Sequence, residues 1–470
     1  MAISTVDESQ RNPVRTRPRF AESCRAPRRK LLLMRSGRAL HFCLSVLLTA
    51  VTLISVAAQR QAVPATELDR LVQDKRYPEL ERRLQIADLN STDRTYFEGI
   101  LADRSNRTTD AIASLEKILP QLQKTSARRS AIALRTLAGD YFKVGRYGKA
   151  SDTYSDLLSH FAGEFSSAER QAITDNRNMF ELLRSAPPQT VSGARAFSVP
   201  IRSNALGNTE LPLQIGGKTE WWILDTGANE STIALSTARR LGLSLSQAKM
   251  SYQSGATGVE VPSWMAVIPK VGLGGTVVSN VMVVVSEDSA LNVNLGENGH
   301  YQIQGILGYP VLVALGSLKV SGDKLEISPE SPRSARSTRL YVEELTPLVE
   351  AEVEGHNLLF GLDTGSNGGS FTPKYLREFP KQFSSLTAQK WGTGGLGGVR
   401  WMQAYVLPQV DLHLGDATAK LKNVPVLTED VGADPLDAVF GNLGQNLLGQ
   451  FRNYTIDFTR MQFIAGENTN

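Results

Sequence analysis

A chain of 470 residues exceeds one ordinary domain, so two or three folding units are expected. With 41% hydrophobic and 21% charged residues it has the composition of a globular protein, which excludes a fibrous or disordered chain. Residues 1–38 carry ten Lys or Arg against three Asp or Glu, a balance of +7, which leaves −3 for residues 39–470 out of the chain's +4. The excess positive charge therefore belongs to a leader, and no nucleic-acid-binding face is expected on the remainder.

After this basic leader, residues 39–58 form an apolar span without Asp, Glu, Lys or Arg, bounded by Arg38 and Arg60. The span fits a secretory signal that ends on Val56-Ala57-Ala58 before Gln59. It also fits a retained transmembrane anchor with its basic side in the cytoplasm. Met34 followed by Arg35-Ser36-Gly37-Arg38 gives a start with the proportions of a signal peptide. Both readings place the rest of the chain outside the cytoplasm, periplasmic or extracellular, free or membrane-anchored. The only cysteines are Cys24 and Cys43, so residues 59–470 offer no thiol nucleophile, Cys-based zinc site or disulfide.

Residues 64–184 are poor in Gly and Pro, and apolar side chains recur at helical spacing. The clearest unit is Leu134, Leu137, Ala138, Tyr141, Gly145, Tyr147, Ala150, Tyr154 and Leu157. Shifted back 39 residues, Gly99, Ala102, Asn106, Ala111, Leu115 and Ile118 take corresponding places, and Lys75-Arg76-Tyr77 with Leu80 and Leu84 is a weaker echo. This pattern resembles a tetratricopeptide repeat, which implies a concave surface for a protein partner. A helical stack that only packs against its neighbour is the other reading. The paired prolines in residues 185–196 end the pattern and read as a linker.

From residue 197 the sequence changes to short β-branched runs separated by Gly, Asn and Pro, which predicts an all-β domain. The domain is internally duplicated. Trp221-Trp222-Ile223-Leu224 runs into Asp225-Thr226-Gly227, and Leu358-Leu359-Phe360-Gly361-Leu362 runs into Asp363-Thr364-Gly365. Gly305-Ile306-Leu307-Gly308 follows the first motif and Gly441-Asn442-Leu443-Gly444 the second, 83 and 81 residues from Asp to the last Gly. Each half closes with a strand pair, and the polar stretch 329–338 joins the halves.

Two hydrophobic strands, each ending in Asp-Thr-Gly with a matched Leu-Gly downstream, resemble the aspartic peptidases, in particular bilobal chains with retroviral-type lobes. The resemblance covers residues 197–467, with lobes at 197–328 and 339–467. The fold class expected is thus multidomain: all-α tetratricopeptide-like repeats followed by an all-β bilobal aspartic-protease fold.

The resemblance implies that Asp225 and Asp363 are catalytic and share a proton, with a water between them attacking the peptide carbonyl. It implies support from Thr226, Gly227, Thr364, Gly365 and Ser366, and from Leu307-Gly308 and Leu443-Gly444 passing behind the loops. Flaps are expected around Tyr252, Gly255 and Gly258 in the first lobe and around Trp391 in the second. No cofactor and no metal are implied; His300, His356 and His413 stand isolated. The expected partner is a peptide or protein substrate, with a further protein partner possible on the helical repeats. A catalytically inactive binding protein of the same fold, acting through its repeats, is the alternative.

Two departures break the internal symmetry. Ser366 stands where the first motif has Ala228, and a hydroxyl there would donate to its carboxylate. With that donor on one side only, the expectation is a less acidic optimum than in members of the resembled family with hydroxyls at both places, and a rate peak as low as roughly pH 2–3 would contradict it. Asn442 stands where the first half has Ile306, so support of the second loop is expected to differ.

Overall fold

The computed structural model describes residues 63–255, 257–431 and 439–469, which belong to one compact unit, 62–470. The leader and the span 39–58 lie outside the described residues. Among the described residues, no helix is long and apolar enough to cross a membrane.

The helical region runs as α1 Ala65–Gln73, α2 Tyr77–Ile86, α3 Ser91–Arg104, α4 Thr108–Thr125, α5 Ala127–Lys143, α6 Tyr147–Phe161 and α7 Ser167–Leu182. Asn90 and Ser126 cap α3 and α5 by accepting from Asp93 and Arg129 amides, and Ser166 forms a reciprocal capping box with Glu169. The turns within α1–α2, α3–α4 and α5–α6 are copies of one another. Each has a residue at positive φ, namely Lys75 (54°), Asn106 (55°) and Gly145 (71°), followed by an arginine, Arg76, Arg107 or Arg146, at φ near −90°. Leu68, Leu80, Phe97, Leu115, Leu137 and Leu157 form the spine of the stack and are buried. Gly99 sits where α3 meets α4, and an added Cβ would strike Leu115.

The β region is built as two similar lobes on a shared sheet. In the first lobe, strand Thr209–Ile215 pairs antiparallel with Lys218–Leu224, which pairs parallel with Gly305–Leu307. Strands Glu260–Leu273 and Thr276–Ser286 close the same sheet around. The second lobe repeats the plan with Thr346–Val353, His356–Leu362, the parallel Asn442–Leu443, and the long hairpin Gly398–Leu414 with Ala417–Leu427.

Beneath both lobes, the closing hairpins join. Ser317–Ser321 pairs with Asn453–Asp457, Leu318 opposite Ile456, so one sheet ties the two halves. Phe197–Pro200 and Ser337–Glu343 extend it at either side. The stretch 185–196 is only partly a linker: Thr190–Gly193 pairs antiparallel with Thr276–Ser286, Thr190 opposite Ser279. An otherwise open strand edge supplies that segment's backbone hydrogen bonds.

The helical region grips the second lobe through the turn after Ser337–Glu343. Glu343 is buried among Lys75 at 3.2 Å, Arg104 at 3.1 Å and the Tyr77 hydroxyl, and Glu344, at positive φ, pairs with Arg135. Burial alone would raise the Glu343 carboxyl, but Arg104 and Lys75 outweigh it and bring it to about 2. Tyr341 donates to Glu81 (2.8 Å), and the Asn106 amide donates to the Phe458 carbonyl (3.1 Å). A cavity of about 160 Å³ remains beside this contact, lined among others by Arg128, Phe142, Phe165, Asn229, Glu230 and Glu344.

Candidate active site

Each aspartate is carried to the lobe junction by a buried strand. Trp222 and Leu224 are buried on the first, Phe360 and Leu362 on the second. The parallel partner strands have the same register, Leu307 opposite Leu224 and Leu443 opposite Leu362. From there the Leu307 carbonyl accepts the Asp225 amide at 3.2 Å and the Leu443 carbonyl the Asp363 amide at 2.9 Å. Gly308 and Gly444 follow directly against the backbone of Glu230 and Ser366, where a Cβ would collide.

The two loops are stitched across the junction by their threonines, both fully buried. The Thr364 hydroxyl accepts from the Thr226 amide (3.0 Å) and donates to the Leu224 carbonyl (2.7 Å). Reciprocally, the Thr226 hydroxyl accepts from the Thr364 amide (3.0 Å) and donates to the Leu362 carbonyl (2.6 Å). Each hydroxyl both donates and accepts across the junction, which leaves each loop little freedom to move alone. The carboxyl groups consequently lie side by side: a Cβ on Gly227 would run into Asp363, and one on Gly365 into Asp225.

Each carboxylate receives two backbone amides on Oδ1. Gly227 and Ala228 donate to Asp225 at 2.9 and 3.0 Å, and Gly365 and Ser366 to Asp363 at 2.8 and 3.0 Å. Here the symmetry ends. The Ser366 hydroxyl does not reach the carboxylate; it donates to the Gly368 carbonyl at 2.8 Å, because the turn brings that oxygen closer. The extra donor comes instead from Asn442, whose Nδ2 lies 2.8 Å from Asp363 Oδ2. Ile306 offers Asp225 nothing comparable. Burial, the adjacent Asp363 charge and the hydrogen bond between the two raise Asp225 well above the usual carboxylate range, against the pull of the Gly227 and Ala228 amides.

Both expected flap regions are hairpins, Met250–Gln253 with Glu260–Leu273 and Gln389–Gly395 with Gly398–Leu414. They meet: the Thr257 hydroxyl donates to the Leu396 carbonyl (3.1 Å), and Arg400 reaches the carbonyls of Val431 (2.8 Å) and Thr257 (3.4 Å). Gly258, at φ 66°, lies beneath Arg400, where a Cβ would clash, whereas Gly255 is exposed at the turn. Trp391 packs on a small separate cluster of Met402, Ala404 and Leu427. Tyr252 donates to Glu230 Oε2 at 2.6 Å, five residues after Asp225. Burial holds the Glu230 carboxyl up at about 7 despite that bond.

Asn208, Glu230 and Arg400 are site residues that the motifs did not bring forward, whereas the sequence marks Asn442 only as a departure from Ile306. Asn208, from the first lobe, donates to the Gly365 carbonyl at 2.6 Å, and Thr346, from the second, donates to Asn229 at 3.2 Å, so each lobe also braces the other's loop. Among the described residues, no cluster of His, Cys, Asp or Glu is placed to hold a metal ion.

Residues 211–311, most of the first lobe including Asp225, match the family described as Aspartyl protease. Among solved structures, the chain is similar to the crystal structure of a retropepsin-like aspartic protease from Rickettsia conorii, at 18% identity and a TM-score of 0.21, covering 30% of this chain and 92% of that one. No curated protein matches. The family match supports an aspartic protease domain in this chain. The second lobe lies outside the matched residues, and its kinship to the first rests on the repeated register and the reciprocal threonine bonds.

Proposed function

We propose that this chain is an aspartic endopeptidase with two retropepsin-like lobes, hydrolysing peptide bonds with a water activated between Asp225 and Asp363. The observation that carries this reading is the reciprocal threonine network, which holds two half-buried carboxyl groups together at a lobe junction beneath two hairpins. Two carboxylates so placed cannot both ionise readily, so between its two ionisations the pair shares one proton. The ionised member takes a proton from water as it attacks the carbonyl; the protonated member polarises that carbonyl and later returns a proton to the leaving nitrogen. The Gly227, Ala228, Gly365 and Ser366 amides position the carboxyl groups and need not move during the reaction.

The reading includes an exported location, by signal or anchor, and a tetratricopeptide-like character for the helical stack. The helical face holds the chain's own Glu343-Glu344 turn, which favours a role in restraining the second lobe over capture of a partner at that place. The test is incubation of the full chain with a reduced, carboxymethylated protein across pH. Cleavage lost in both Asp225→Asn and Asp363→Asn supports the peptidase; cleavage unchanged in either variant overturns it and leaves the binding-protein alternative.

A further inference from the structure

We infer that Asn442 is a positioning residue that makes the two aspartates unequal, fixing Asp363 as the base that activates water and Asp225 as the acid that carries the proton. The inference rests on the peptidase reading and goes beyond it by assigning the roles. Asn442 and Ile306 occupy the same register, beside Gly361 and Ile223 on the parallel strand pairs behind the loops. Only Asn442 has a donor, and it points that donor at the second oxygen of Asp363, 2.8 Å away. An amide N–H in that place is satisfied by an ionised carboxylate and not by a carboxyl proton on the same oxygen. Asp363 thus receives three donors and Asp225 two. The Asn442 carbonyl oxygen is itself buried without a partner. An apolar residue would avoid that cost, as Ile306 does in the first lobe, so the arrangement is explained by what the amide does for Asp363.

Among the described residues, the charged and titratable groups that face the pair are few. The aspartates face each other, and the Tyr252 phenol approaches Asp225 from the first flap, itself bound to Glu230. Thr226 and Thr364 come from the opposite loops and are uncharged. Asn442 therefore acts on the first ionisation of the pair, which produces the Asp363 carboxylate. It does not act on the second, in which Asp225 loses its proton while Asp363 stays ionised.

The test is the pH dependence of kcat/KM for full-length wild type, Asn442→Leu, Asn442→Asp and the exchange variant Ile306→Asn/Asn442→Ile, with reduced, carboxymethylated protein as substrate. In Asn442→Leu the acid limb is expected to rise by about one to two units, lowering the rate roughly 10- to 100-fold well below the limb, while the alkaline limb stays in place. Asn442→Asp keeps the volume and loses the amide, so its acid limb must rise too, and it serves if the leucine variant does not fold. The exchange variant, with its donor on Asp225, is expected to bring the acid limb back. An unmoved acid limb, or an equal loss at every pH in all the variants, overturns the inference while leaving the peptidase reading intact. Absence of cleavage by wild type at any pH overturns that reading first.

Discussion

The two lobes carry the same loop on the same strand pair, yet they surround it differently. The first places Ala228 and Ile306 near its aspartate and ties Tyr252 of its flap to Glu230. The second places Asn442 on its aspartate, turns Ser366 away toward Gly368, and is the lobe held at Glu343 by the helical region. The backbone scaffold is thus duplicated while the side chains around it are not. Symmetry brings the carboxyl groups together, and asymmetry gives them different surroundings.

The largest effect is expected from the aspartates themselves. Asp225→Asn and Asp363→Asn should each lower kcat/KM by about 10³-fold or more, since each removes one half of the proton transfer. Steady-state cleavage assays at the pH optimum check this, and a variant within tenfold of wild type would show that one lobe suffices.

Next comes the grip on the second lobe. Glu343→Gln removes the anion from a buried cluster of Lys75 and Arg104, and is expected to cost about 3–5 kcal/mol in urea unfolding near neutral pH. Because the folded Glu343 is held down at about 2 from an ordinary 4.5, its contribution is present above 4.5 and fades as pH falls toward 2. The difference between variant and wild type should therefore shrink over that interval. A constant difference would place the effect in packing instead of charge.

Thr226→Val and Thr364→Val probe the symmetric part. Each strands one buried amide and one buried carbonyl of the opposite loop, at about 1–3 kcal/mol per group. The two variants should lose similar stability by denaturant titration; a large inequality would mean that the network is symmetric in geometry only.

The smallest effect concerns Glu230 and the first flap. Burial holds the folded Glu230 carboxyl up at about 7 from 4.5, so its protonated form favours the fold below 4.5, and that advantage is lost as pH rises through 7. Glu230→Gln should remove this loss, making the variant less sensitive than wild type to pH between 4.5 and 7. Thermal unfolding at several pH values reads it, and identical slopes would show that Glu230 does not titrate there.

Much of this was legible in the sequence because it is local. A strand running into Asp-Thr-Gly, a Leu-Gly some eighty residues on, and the strand pairs closing each half are all short-range patterns. Helix α3 and the turn at Asn106 also follow from spacing and caps. What could not be read is what depends on distant elements meeting. Leu318 pairs with Ile456 only because both lobes fold. Thr190–Gly193 reads as linker until a free strand edge lies beside it. Nothing in the sequence around Glu343-Glu344 announces Arg104, Lys75 and Arg135. Ser366 drew attention as a hydroxyl beside the motif, but turn geometry gave its proton to Gly368. Asn442 was visible as a departure from Ile306, and its target was not.

In the proposed reading, one chain builds one hydrolytic site from two unlike lobes. Cleavage of a reduced, carboxymethylated protein by Asp225→Asn, by Asp363→Asn and by an equimolar mixture of the two tests it most directly. All three preparations are expected to be inactive while the wild-type chain cleaves. Full cleavage by either single variant would contradict it, since like lobes from two chains would then assemble the site, as would restoration on mixing, which would mean that the first lobe of one chain pairs with the second lobe of another.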